Sequence, residues 1–540
     1  MFVVGCALAI AAFLACATYY INFWPTDSYR PYLPAAKHLF EHPFVSHIHE
    51  ASGFQLIMRG KETLILGIAI MQRLLNDFES LYPNVLFLII TVFVSSVLIY
   101  QLLRHHFDQL TALFGFVLFA GCFWSYMYVL QGAHPPLVLM SLLLAIQALV
   151  WSNKKWWLYP LSGISLGFML FSSPTAPVYM PYYLAYLAWH FYKTDPARRI
   201  KIVSMGTALI ALGVMAVFLY FTLPDPYQYF QKYRAFLLFS KKGNDFIIWR
   251  HLIAPYFDVP DGFRGGGAVW IWRYFFLIMP AMFIVYLVSL VYLIWKGRLR
   301  KGLWLIALVS VSTPVCVEII RVAQFGRNYF SWIVGIILVV CVAFYYLKRE
   351  QRVNRAVVVY GVIFFLTLHL SFNGYAFFTD VLPARMDKTY VHHWFQRHQV
   401  NQVFTYRPHP YMDNLLPFIN NSKQAYKIQF GGIQSIAQVK NGYILLPPFT
   451  GKSIWSSCVE KDFVSDPVLT FLFRSGYLEK YAVASFETLT SSRMWAQEQE
   501  VCTYLDLMLG KISAQDRRMG KIYILDMNIL NEHLKGDLRR

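Results

Sequence analysis

Long apolar runs separated by short basic loops dominate this chain, and they set its predicted elements. A helix that crosses a bilayer needs roughly 20 mainly apolar residues. About eleven stretches approach that length, at 1–23, 83–103, 109–130, 136–151, 156–172, 176–192, 202–223, 268–295, 302–320, 330–347 and 356–373. The loops between them alternate in charge. One set carries Arg104, then Lys154 and Lys155, then Lys193, Arg198, Arg199 and Lys201, then Lys296, Arg298, Arg300 and Lys301, and finally Lys348, Arg349, Arg352 and Arg355. On the other side, 131–135 and 173–175 carry no Lys or Arg, and 321–329 carries two. Basic loops stay cytoplasmic. The pattern therefore predicts a cytoplasmic N-terminus, with 24–82, 224–267 and 374–540 outside. No Lys or Arg precedes Arg30, so the first run lacks the basic start of a signal peptide and reads as an uncleaved helix.

The outer segments differ in character. From about 62 to 80 the spacing predicts an amphipathic helix lying in the interface. Segment 224–267 is aromatic and basic, with Lys232, Arg234, Lys241, Lys242 and Arg250, and it ends in Gly265-Gly266-Gly267, a candidate hinge. A long loop of this kind tends to be functional. Residues 374–540 have the length of one α/β or α+β domain. Tyr443-Ile444-Leu445-Leu446 and Ile522-Tyr523-Ile524-Leu525 read as strands, and 384–398 and 493–509 as helices. No internal repeat or low-complexity tract is present. The predicted fold is a polytopic α-helical membrane protein, 1–373, with a C-terminal extracytoplasmic domain, 374–540.

Composition sharpens this picture. Of 540 residues, 57% are apolar and 14% charged, against about 25% charged in soluble chains, which excludes one large soluble enzyme and a disordered chain. The net charge of +19 raises the question of nucleic acid. Residues 1–373 hold 29 Lys and Arg against 14 Asp and Glu, and 374–540 hold 19 against 15. The excess thus sits in the membrane part, as inside loops require, and no nucleic-acid signature accompanies it. Cys6, Cys16, Cys122, Cys316 and Cys341 lie in apolar runs as small hydrophobes. Cys458 and Cys502 are the pair open to a disulfide in an exported tail, and spacing alone leaves their separation undecided.

The candidate chemistry lies at the outer face. Trp24-Pro25-Thr26-Asp27-Ser28-Tyr29-Arg30-Pro31-Tyr32 follows the first run directly, and Arg59-Gly60-Lys61-Glu62 precedes the amphipathic helix. Asp27 at a membrane interface is placed to meet a lipid headgroup. Arg30 offers the planar fork that suits phosphate oxygens, and Lys61 stands where helix N–H groups also favour an anion. The same spacing fits Asp27 as an N-cap and the two cations as anchors to lipid phosphate. Arg327-Asn328-Tyr329, before the tenth run, fits an ordinary interfacial anchor. Glu318 with Arg321 fits an intrahelical pair as well as a site, and His47, His49 and His134 fit solvated or satisfied histidines.

A first helix, an outer loop opening on Asp and aromatics, an interfacial helix, many spans and an outer tail together resemble the GT-C membrane glycosyltransferases, within them the branch of aminoarabinose transferases and protein O-mannosyltransferases. That branch has Asp-Glu-x-Arg-Tyr and Lys-Pro-Pro-Leu where this chain has Asp27-Ser28-Tyr29-Arg30 and Lys61-Glu62-Thr63-Leu64. Gly132-Ala133-His134-Pro135 stands where the family often has an acid. The resemblance implies a sugar on a polyprenyl phosphate as donor, a lipid, glycan or protein acceptor, Asp27 as base, Arg30 and Lys61 holding the leaving phosphate, and Arg327 and Tyr329 as further substrate-binding residues. The displacement would invert the anomeric centre. No cofactor is expected; a divalent metal stays open, but Ser28 replaces the second acid, so no carboxylate pair supports an ion that needs several oxygen ligands. A lipid or polysaccharide transporter is the competing class. It calls for inverted repeats and midplane polar residues, and the sequence shows neither. A tail that works alone as a binding module leaves the Asp27 loop without a role.

Overall fold

The structure is a computed structural model. It describes residues 29–41, 61–78, 82–122, 129, 134–152, 155–173, 176–193, 199–223, 225–227, 229, 280–297, 329–350, 354–376, 387–406, 429–446, 467–474, 476–486 and 521–537. The described residues fall into two compact units that divide at Gly374 and Tyr375.

The first unit is helical: α1 (Tyr29–Glu41), α2 (Glu62–Leu75), α3 (Tyr82–His106), α4 (Gln109–Ala120), α5 (Pro135–Ser152), α6 (Tyr159–Leu170), α7 (Met180–Tyr192), α8 (Arg199–Thr222), α9 (Pro280–Trp295), α10 (Tyr329–Leu347) and α11 (Arg355–Ala376). Most coincide with the apolar runs. Runs 1–23 and 302–320 lie outside the described residues. Among the described residues α3 and α8 are long and apolar enough to cross a membrane by length and composition, and shorter apolar helices fall within α4, α5, α9, α10 and α11. The run 109–130 is not one helix. α4 stops at Ala120, where the Gly121 N–H bonds the Val117 carbonyl and the Cys122 N–H that of Phe119. Prolines near the starts of α6 and α7 follow short 3-10 turns, where a missing N–H is harmless.

Among the described residues, α6 and α8 approach closely. A Cβ on Gly163 would lie 2.1 Å from the Ile210 carbonyl oxygen, one on Gly213 2.4 Å from that of Pro160, and one on Gly167 2.7 Å from the Val217 Cβ. Glycines four apart on α6 let the backbones meet. Hydroxyls add specific ties. Ser162 Oγ donates to the Ala145 carbonyl at 2.8 Å and accepts from Tyr183 at 2.7 Å, which joins α5, α6 and α7. In α3, Thr91, Ser95 and Ser96 bond carbonyls of their own helix at 2.7–2.8 Å, so they are buried at little cost. His369 Nε2 of α11 donates to the Leu118 carbonyl of α4 at 3.1 Å.

The loop between α3 and α4 is pinned electrostatically. Asp108 caps α4 by accepting from the Thr111 N–H at 3.0 Å, and it pairs with Lys348, which also donates to Thr111 Oγ1. Partial burial works against the Asp108 charge, but the Lys348 ammonium and the Thr111 donors hold its carboxyl below the ordinary value. Lys296 pairs with Glu350, which also accepts from the Tyr292 hydroxyl at 3.0 Å.

The second unit is a five-stranded mixed sheet with helices α12 (Asp387–Arg397), α13 (Pro467–Arg474), α14 (Tyr477–Tyr481) and α15 (Met527–Asp537). Strands β1 (Gln402–Tyr406), β2 (Gln429–Ile433), β3 (Tyr443–Leu446), β4 (Ala482–Phe486) and β5 (Ile522–Asp526) run in the order β2-β1-β3-β5-β4. β1 is parallel to β2 and β3, and β5 is antiparallel to β3 and β4. Ile444, Leu445 and Leu446 and the whole Ile522–Leu525 stretch are buried, as in a sheet covered on both faces. α15 starts where β5 ends. The Met527 N–H meets the Gly442 carbonyl at 2.9 Å and Asp526 caps the Asn528 N–H at 2.9 Å. Strands appear at 443–446 and 522–526, and a helix at 387–397. The predicted helix at 493–509, Cys458 and Cys502 lie outside the described residues.

Candidate active site

Helix α2 begins at a junction. Lys61 is its N-cap residue, and its carbonyl accepts from the Leu64 and Ile65 N–H groups at 3.0 and 3.2 Å. The next donor is spent on another helix, because the Thr63 N–H bonds the Phe171 carbonyl at 3.0 Å and Thr63 Oγ1 bonds that of Phe168 at 2.9 Å. The start of α2 is thereby stitched to the end of α6. The helix ends at Leu75, with Asn76 in the left-handed conformation, and its first turn is buried rather than lying on a surface. The Thr63 N–H is also unavailable to an external anion.

Two neighbouring opposite charges are buried here. Lys61 is 3% exposed; its ammonium donates to the Tyr32 hydroxyl of α1 and lies 5.0 Å from that ring's centroid. Such burial argues against Lys61 as a surface anchor to bulk lipid. Glu62 is fully buried, and its Oε1 accepts from the Tyr229 hydroxyl at 2.6 Å across 167 residues of sequence. Tyr229 is itself buried, with its ring 6.0 Å from that of Phe171, whose ring in turn lies tilted 4.9 Å from that of Phe221 of α8. A buried charge is costly unless it is bonded, so these contacts fix where both side chains can sit. The Glu62 carboxylate also lies in the first turn of a helix, where the dipole favours negative charge.

The structure brings Lys61 together with α1, the helix that carries Arg30 as its second residue. Tyr329 is the first residue of α10. Asp27, Arg327, Glu318, Arg321, His47 and His49 lie outside the described residues. His134 is buried at the start of α5, where its carbonyl accepts from the Leu137 and Val138 N–H groups at 3.0 and 3.3 Å. Tyr32, Glu62 and Tyr229 are the members that sequence reasoning missed. Glu62 had a signal, as an acid at the head of an apolar helix. Tyr229 had none, since its partner is far away in the chain. Among the described residues no three His, Cys, Asp or Glu gather as a metal site.

Residues 66–221, from within α2 to near the end of α8, match the family model described as dolichyl-phosphate-mannose-protein mannosyltransferase. The match spans under a third of the chain and supports a membrane glycosyltransferase of the GT-C class. Among solved structures, the crystal structure of the Archaeoglobus fulgidus oligosaccharyltransferase, in complex with zinc and sulfate, is similar at a TM-score of 0.48 and 12% identity, covering 86% of this chain and 71% of that one. No curated protein matches this chain in sequence.

Proposed function

We propose that this protein is an integral membrane glycosyltransferase that moves a sugar from a polyprenyl-phosphate donor to a lipid, glycan or protein acceptor at the outer face of the cell membrane. The observation that carries this reading is the family match over 66–221. The buried Lys61 at the head of the same helical stretch adds to it. The leaving group would be a phosphate, already a stable anion, so the reaction needs no general acid. It needs a base for the acceptor's proton and cations for the departing phosphate. Asp27 is the proposed base, and Arg30, Lys61, Arg327 and Tyr329 the proposed substrate contacts. The transfer would proceed with inversion and without a cofactor. The N-terminus is proposed to face the cytoplasm and the tail the periplasm or exterior.

The test compares wild type with Asp27→Asn in liposomes supplied with polyprenyl-phosphate sugars and a membrane extract as acceptor. Wild type should release free polyprenyl phosphate, and the folded variant should lose that release. Equal behaviour of the two with every donor would remove Asp27 as base and move lipid transport to first place.

A further inference from the structure

The bond between Tyr229 and Glu62 has no part in the chemistry proposed above, yet it joins two outer segments at the residue beside Lys61. Glu62 is fully buried, and the 2.6 Å separation is that of a strong bond from a phenol to a carboxylate. Tyr229 lies beyond the end of α8, and its ring packs against Phe171, whose own carbonyl holds the Thr63 N–H. The residues after α8 therefore reach the first turn of α2 by two routes, one through the Glu62 carboxylate and one through Phe171. Lys61 itself is held by Tyr32 of α1. Moving Glu62 moves the adjacent N-cap residue, because the Lys61 carbonyl is bonded into the same turn.

We infer that Tyr229 and Glu62 are a coupled pair of positioning residues, which hold Lys61 where it meets the phosphate of the lipid-linked donor and tie that position to the segment following α8. The inference rests on the glycosyl-transfer reading. Neither residue touches the reacting atoms; both act through Lys61. A pair that acts as one unit gives non-additive losses, and a pair that serves the donor phosphate affects donor use and leaves acceptor use alone.

The experiment measures donor and acceptor kinetics of full-length wild type, Tyr229→Phe, Glu62→Gln and the double variant, each checked for melting temperature in detergent. Tyr229→Phe removes one hydroxyl and keeps the ring on Phe171. It should lose about tenfold in kcat/KM for the donor, the worth of one such bond, with the acceptor KM unchanged. Glu62→Gln should lose a similar factor, and the double variant should be no worse than the poorer single one. An unaltered Tyr229→Phe, losses that multiply, or losses that fall equally on donor and acceptor with a lowered melting temperature would each overturn the inference while leaving glycosyl transfer standing. A wild type that turns over no polyprenyl-phosphate sugar would overturn the transfer reading itself and this inference with it.

Discussion

In helix α8 the outward residues include Leu212, Met215, Leu219 and Tyr220; in helix α15 they include Asn528, Glu532, His533 and Lys535. The interiors differ too. The helical unit buries Asn84, Thr91, Ser95 and Ser96 of α3, Ser141 and Gln147 of α5, and Ser162 and Ser165 of α6, while the central strands of the tail bury Ile444, Leu445, Leu446, Ile524 and Leu525. The contrast fits the proposed placement of the helical unit in lipid and of the tail in water. Where water surrounds a unit, burying apolar surface holds it together. Where lipid does, apolar side chains gain nothing by turning inward, and association depends on close backbone approach and interhelical hydrogen bonds. Gly163 against Ile210 and Ser162 against Ala145 and Tyr183 are contacts of that kind.

The largest effect that breaks this comparison is expected at α6. Gly163→Leu drives a side chain into the Ile210 carbonyl, and backbone cannot swing aside as a side chain can. A loss of about 3 kcal/mol or more is expected, read as failure to accumulate folded protein or as a much lower melting temperature in detergent. A variant as stable as wild type would mean that the α6–α8 contact is looser than described. The next effect comes from a matched pair of aspartates. Phe364 of α11 is 67% exposed and Ile529 of α15 is 41% exposed. Phe364→Asp should cost about 3 kcal/mol of membrane insertion. Ile529→Asp should stay within about 0.5 kcal/mol, as surface changes in water do. Equal outcomes in membrane-insertion and stability assays would erase the distinction between the two surfaces.

A small effect is also expected at the Asp108–Lys348 pair. Since the folded carboxyl is held below its ordinary value, its stabilisation is complete above about pH 3.8 and fades as acid protonates the folded group. Asp108→Asn should therefore lower stability slightly at neutral pH, by at most about 1 kcal/mol because water screens the pair, read as a small drop in melting temperature. The gap from wild type should close in strong acid. Asn caps a helix about as well as Asp, so a gap that persists there would assign the effect to local packing rather than to the charge.

Much of the helical unit was legible because long apolar runs leave little else for the chain to do. The exceptions have local causes. α1 carries Pro31 and Pro34 within Tyr29–Glu41, which hides a helix from a periodicity reading. The end of α4 turns on Gly121 inside an apolar run. In the tail, β3 and β5 were visible as compact apolar blocks. β2 reads Gln429-Phe430-Gly431-Gly432-Ile433, and its strand conformation comes from pairing with β1 rather than from propensity. At the candidate site Lys61 stood out by its charge at a helix start. Tyr229 is brought to Glu62 by the packing of α6 against α8, which no local pattern encodes.

The most direct measurement is the release of polyprenyl phosphate by Lys61→Met beside wild type, in the same membranes and with folding checked by melting temperature. Methionine keeps the length and packing of the side chain and removes the ammonium. A folded variant whose release falls by at least about tenfold is the expected result. A folded variant that turns over the donor as fast as wild type would contradict a donor-phosphate site at the start of α2.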